Sequence, residues 1–194
     1  MVLKYFMSKS NYKKKDISSI ITLAQKGDIK ALEELIRRVQ KHVYALFSHL
    51  TYKKEDISDL TQEALLKMAK YITQLRDAKA FKSWLNQIIT NIYYDYARKN
   101  SDKIVEYDEE KLNEIKDRLG CEPGERCIFS EMDKIIRMAL MTLPKDLRIT
   151  LVLREYEGLS YQDIAKITNT AIGTVKSRIS RARVQLQNEL KEFI

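Results

Sequence analysis

The stretch LSYQDIAKITNTAIGTVKSRISRARVQL, Leu159 to Leu186, decides how the second half of the chain folds. Ser160 with Asp163 three residues on has the form of a capping box, which predicts a short helix through Ile167. A four-residue break follows, and a long helix begins near Ile172. That helix carries Lys176, Arg178, Arg181 and Arg183 on eight consecutive positions. At about 100° per residue, Val175, Ile179, Ala182 and Leu186 share one narrow sector and face the core. Gly173, Ser177, Ser180 and Arg181 lie opposite, with Thr174 and Lys176 on the flanks, while Arg178 and Arg183 stand nearer the core boundary, placed to swing out to phosphates. Small residues allow close approach to a duplex, and the hydroxyls and cations supply donors for base edges and phosphates. Two helices across a tight turn, the second basic on its outer face, is the arrangement of a helix-turn-helix DNA reader. A solvated basic face would account for the charges alone, but not for the capped helix and turn before them.

The whole chain is consistent with such a partner. Its 194 residues carry a formal charge of +8, which favours polyanions such as nucleic acid or an anionic membrane surface. With 44% hydrophobic and 32% charged residues, the chain can bury one medium core or two small ones. The opening MVLKYFMSKSNYKKK has no apolar run of signal-peptide length, and no stretch approaches the ~20 apolar residues of a membrane span. A cytoplasmic protein with no membrane insertion is expected. Cys121 and Cys127, the two cysteines, imply no disulfide framework; they read as an ordinary thiol pair in a loop or as a redox switch. His42 and His49, the two histidines, sit in no metal motif, and no phosphate-binding glycine loop or nucleophile elbow is present. No catalytic residue, metal site or cofactor is expected, which disfavours an enzyme.

Five glycines and two prolines leave few breaks, and helical apolar spacing almost throughout predicts an all-α protein. Asp16 can cap a helix ending at Gly27. Asp28 can cap the next, whose stripe runs from Ile29 through Leu35, Val39 and Val43 to Leu50. A third helix is expected from about Glu55 to Leu75, with Ile57, Leu60, Ala64, Met68 and Ile72 inward. A fourth is expected from about Lys79 to Asn100, with Phe81, Trp84, Leu85, Ile88, Ile92 and Tyr96 inward. Between Ser101 and Arg126 the pattern fails: nine acidic and five basic residues surround glycine and proline breakers. This segment reads as a flexible acidic linker, with a transient helix around Glu109 to Leu119. Beyond it Ile128, Phe129, Met132, Ile135, Ile136, Ala139 and Leu143 form a further stripe, and Pro144 can open a helix that stops at Gly158. The expected organisation is a basic extension at 1–15, a helical domain at 16–100, the linker at 101–126 and a second helical domain at 127–194.

LPKDLRITLVLREYEGLSYQDIAKITNTAIGTVKSRISRARVQL, from Leu143, resembles region 4 of bacterial sigma factors of the sigma-70 family, in the ECF (extracytoplasmic function) group. The resemblance is carried by Leu143-Pro144, Leu153 to Glu155, Gly158 to Tyr161, Ile164-Ala165, Gly173 to Arg178 and Arg181 to Arg183. It departs in the turn, where Thr168, Asn169, Thr170 and Ala171 replace a more usual leucine, glycine, apolar and small polar residue. Asn169 tolerates the left-handed conformation that a glycine would supply. The first half is similar to region 2 over GDIKALEELIRRVQKHVYALF from Gly27, DISDLTQEALLKMAKY from Asp56 and AFKSWLNQIITNIYYDYARKN from Ala80. No domain fits between the two halves, which suits the ECF group.

The resemblance implies a subunit that binds core RNA polymerase and directs it to promoter DNA. Thr174, Lys176, Ser177, Ser180 and Arg181 match the positions that read the −35 element, with Arg178 and Arg183 beside them. Asn91, with the loop Leu75, Arg76 to Lys79 and with Lys67, matches the pocket for an unstacked −10 base. A helix-surface hydrogen bond is the competing reading of Asn91. Tyr93 or Tyr94 could stack on single-stranded bases, whereas Tyr96 and Trp84 suit the core. Asp59, Gln62 and Glu63 match the helix that grips the β′ clamp helices, or are ordinary helix-surface charge. The β flap is the expected second polymerase contact, and an anti-sigma factor the expected inhibitor. A free-standing helix-turn-helix regulator is the alternative function.

Overall fold

The structure, a computed structural model, describes residues 12, 14–100 and 125–191, with 125–131 described by backbone alone. Most of the basic extension, the linker through residue 124 with its transient helix, Cys121 and the side chain of Cys127 lie outside the described residues. Among the described residues there are eight α-helices and no strand: α1 (Ile17–Gln25), α2 (Ile29–Ser48), α3 (Lys54–Tyr71), α4 (Phe81–Lys99), α5 (Glu125–Thr142), α6 (Lys145–Glu155), α7 (Tyr161–Thr168) and α8 (Ile172–Lys191). Short 3-10 turns at Ile72–Gln74 and Ala78–Ala80 link α3 to α4.

The caps read from the sequence are in place. Asp16 accepts a hydrogen bond from the backbone N–H of Ser19 at 3.1 Å, and Asp28 accepts from that of Ala31 at 3.1 Å. Between them Gly27 takes φ +86°, a conformation that closes α1 without a Cβ penalty. Residues ahead of α1 are anchored as well. Tyr12 Oη donates to Asp28 Oδ2 at 2.7 Å, and Arg38 donates to the carbonyls of Tyr12 and Lys15 at 2.8 Å each. Glu34 holds both Arg37 and Arg38, and these cations pull its carboxyl down to about 2.

In the first half, α2 packs against α1 and α3, and α4 against α3. Leu35, Val43, Phe47, Ala64, Met68 and Ile89 are fully buried there, each large apolar side chain contributing ~1.5–3 kcal/mol. The expected inner face of α4 needs correcting. Trp84, Ile88 and Tyr96 are only partly buried, while Ile89, Tyr93 and Ala97 join Phe81, Leu85 and Ile92 in the core. The cause is that α4 is covered on a second side by α6 and α7 of the other half, so no single apolar stripe describes it. Tyr96 instead donates to Asp56 Oδ2 at 2.6 Å, and burial together with this bond pushes its phenol up to about 12.

In the second half α8 packs on α5, α6 and α7. The middle of α6, residues 148–153, is buried all round, with Ile149, Val152 and Leu153 at 0% exposure and the charged Arg148 at only 5%. Arg148 donates to the carbonyls of Met141 (2.6 Å) and Leu143 (2.9 Å) at the end of α5, and to that of Leu50 (2.8 Å) just beyond α2. Its cation therefore stands where two helix C-termini present their negative dipole ends. The two halves, read from the sequence as separate pieces, are docked, and their buried apolar residues form one continuous cluster.

Candidate nucleic-acid interface

The helix-turn-helix is built by local chemistry. Ser160 Oγ accepts from the backbone N–H of Asp163 at 3.1 Å and donates to Asp163 Oδ2 at 2.6 Å, fixing where α7 starts. Ser160→Ala is expected to lower stability by about 1 kcal/mol, measured by thermal unfolding. At the other end Asn169 adopts φ 51°, ψ 49°, and the N–H of Thr170 returns to the Ala165 carbonyl at 3.0 Å. Thr168 Oγ1 donates to the Ile164 carbonyl and lies 2.9 Å from Thr170 Oγ1. The unusual threonines of the turn thus satisfy one another and the end of α7.

This turn delivers α8 with Val175, Ile179 and Ala182 buried, while Leu186, the fourth residue of the expected inner sector, is partly buried against the core. Lys176, Ser180 and Arg181 are exposed on the outer face, and space is open beside Gly173. Thr174 and Ser177 are partly buried, and Ser177 Oγ donates to the Thr174 carbonyl at 2.9 Å. The two boundary cations have internal partners. Arg183 pairs with Glu155 at 2.6 Å, and Arg178, whose side chain is 19% exposed, lies 3.5 Å from Asp146.

On the first half, Asp59, Gln62 and Glu63 are exposed together on α3, and Lys67 pairs with Glu63 at 2.7 Å. Leu66, 70% exposed, stands on the same face one turn further, a position the sequence reading passed over. Its signal was the apolar residue at helical spacing from Asp59 and Gln62, off the buried stripe. The loop ahead of α4 is pinned by Gln25, which donates to the Leu75 carbonyl, and by Asp77 Oδ1, which accepts from the N–H of Lys79 at 2.9 Å. Leu75 is buried, whereas Arg76 and Lys79 are exposed. Asn91 is exposed and its Oδ1 accepts from Gln87 at 3.1 Å within α4. The aromatic expectation fails for Tyr93, which is 2% exposed in the core. Tyr94 is partly buried, and burial together with the Asp146 carboxylate pushes its phenol up.

Residues 35–103 match the family described as Sigma-70 region 2, and residues 133–186 that described as Sigma-70, region 4. The chain is 33% identical over 182 residues to the ECF RNA polymerase sigma-E factor of Haemophilus influenzae, covering 91% of this chain and 96% of that one. The chain belongs to the sigma-70 family, in its ECF group. To the sigma-E factor of Escherichia coli this sigma factor is 32% identical, with 90% of its own length and 94% of the relative's covered. A solved structure of the sigma factor RpoE of Bartonella quintana, in complex with the anti-sigma factor NepR, is similar with a TM-score of 0.63 and 29% identity. It covers 84% of this chain and 98% of that one. In this ECF sigma factor the exposed α8 face belongs to region 4, and α3 and α4 belong to region 2.

Proposed function

We propose that this sigma factor binds core RNA polymerase and directs initiation at promoters through two DNA contacts, acting by binding and not as an enzyme. The observation that carries the reading is the outer face of α8, where Lys176, Ser180 and Arg181 project from a helix fixed by a capped partner and a closed turn. Region 4, within 127–194, reads the −35 duplex by this face, with Thr174 and Ser177 at its edge and Arg178 and Arg183 reaching phosphates once their carboxylates release them. Region 2, within 16–100, holds an unstacked −10 base between Asn91 and the loop of Leu75, Arg76 and Lys79, with Lys67 near the strand backbone. Asp59, Gln62 and Glu63, with Leu66 among them, form a mixed acidic and apolar face suited to a protein and repellent to DNA, which we assign to the β′ clamp helices. Region 4 makes the contact with the β flap. An anti-sigma factor is the inhibitor, in keeping with the Bartonella relative's complex. No described helix is long and apolar enough to cross a membrane, and the site of action is the cytoplasm.

The test is transcription in vitro by bacterial core polymerase from a promoter library, with and without the protein. Initiation at a defined pair of elements is expected, and Asn91→Ala should weaken the −10 preference while leaving that at −35. Tight binding to duplex DNA by the protein alone, with no initiation from any template, would replace this reading with that of a free-standing regulator.

A further inference from the structure

The loop that carries Leu75, Arg76 and Lys79 rests on α1, a helix that lies ahead of the matched region 2, which begins at residue 35. The helix packs against both 3-10 turns, Ile72–Gln74 and Ala78–Ala80, between which the loop is strung. Gln25 is the last residue of α1, and its Nε2 donates to the carbonyl of Leu75, 50 positions further along the chain. Leu75 takes φ −68°, ψ 114° directly after the first turn, which swings this carbonyl out of the direction in which a following helical N–H would meet it.

The other restraints on the loop do not replace this bond. Asp77 Oδ1 accepts from the N–H of Lys79 at 2.9 Å, and the Asp77 carbonyl accepts from that of Ala80 at 3.0 Å. Both bonds are internal to the loop, so they shape it without saying where it stands. Leu75 is 7% exposed and Ala78 packs partly buried on the core, which holds the loop down. Apolar contact is non-directional, however, and leaves orientation open. Gln25 supplies a directional tie from the loop to the body of the fold.

Gln25 is itself braced. The N–H groups of Gly27 and Asp28 return to the carbonyls of Ala24 and Leu23 at 3.0 and 3.1 Å, closing α1 through the φ of +86° at Gly27. Asp28 in turn caps α2 and accepts from Tyr12 Oη. We propose that Gln25 is a positioning residue: by holding the Leu75 carbonyl it sets where Arg76 and Lys79 stand relative to Asn91, and so how sharply region 2 discriminates among −10 bases. The promoter consequence rests on the base-holding site proposed above. A pocket wall that stays in place rejects a base edge that does not match it, whereas a wall free to shift accommodates the mismatch.

Two variants of the full chain test this. Gln25→Met keeps the length and helix propensity but has no donor, and Gln25→Lys restores a donor of similar reach. In Gln25→Met the amides of Leu75, Lys79 and Ala80 should exchange with deuterium about 5- to 10-fold faster than in the wild type, the worth of one hydrogen bond, with helix content unchanged by circular dichroism. Gln25→Lys should exchange as the wild type does. Transcription in vitro with core polymerase reads the consequence: Gln25→Met should lose about 5- to 10-fold in preference for the matched −10 base at an unchanged −35 preference, and Gln25→Lys should recover it. Loop amides as protected in Gln25→Met as in the wild type would overturn the inference, and so would a loosened loop with an undiminished −10 preference. A loosened loop in a protein whose wild type shows no −10 preference would instead bring down the base-holding site, while the tie between Gln25 and the loop stands.

Discussion

Replacing Arg148 with alanine is expected to destabilise the chain by about 3 kcal/mol or more, read as a drop of about 10 °C in the thermal midpoint. The guanidinium holds three backbone carbonyls, those of Leu50, Met141 and Leu143, in a site that is 5% exposed. Alanine leaves all three facing a void, and each unpaired carbonyl costs ~1–3 kcal/mol, partly relieved where water enters. Lysine should recover a fraction of the loss, because a single ammonium cannot reproduce a planar fork aimed at carbonyls from two helices. A midpoint unchanged in Arg148→Ala would show that the carbonyls find other partners and that the buried cation is dispensable.

The second large effect is expected at Arg181. It is exposed on α8 opposite Val175 and Ile179, where a side chain entering a major groove can meet a guanine edge with two hydrogen bonds. Arg181→Ala should reduce discrimination at one −35 position by about 1–3 kcal/mol, or about 10- to 100-fold in relative initiation from matched and mismatched templates. Arg183→Ala should act differently. Its cation faces Glu155 at 2.6 Å at the edge of the helix, so its loss should weaken all templates evenly. Equal losses on every template for Arg181→Ala would remove it from the base-reading set and place it among the phosphate contacts.

What was legible in the sequence was local. The caps at Asp16, Asp28 and Ser160, the left-handed Asn169 and the inner face of α8 all depend on residues within a turn or two, and the structure has each of them. The seam between the two halves was not legible, because its contacts join residues 71 and 98 positions apart: Asn86 with Glu157, and Leu50 with Arg148. Its trace was visible only in retrospect. Arg148 falls on the same face as Leu151 and Val152, and Asn86 and Thr90 fall four apart among the core positions of α4. A polar residue inside an apolar stripe marks a partner from elsewhere in the chain, but does not say which one. The same ignorance misplaced Tyr93, whose neighbours Arg98 and Lys99 suggested a nucleic-acid face while the fold turned its ring inward.

The ion pairs Arg183–Glu155 and Arg178–Asp146 bear on how ionic strength acts on this sigma factor. A free cation on a DNA-binding surface displaces condensed counterions from the duplex, and each one steepens the dependence of affinity on salt by roughly 0.9 in logarithmic slope. A cation that must first leave a carboxylate exchanges one anionic partner for another and exposes that carboxylate to the phosphates. If α8 meets DNA as proposed, Lys176 and Arg181 should therefore contribute to the salt slope in full, and Arg178 and Arg183 much less. Region 4 should hold its promoter over a wider range of salt than a count of its basic residues suggests.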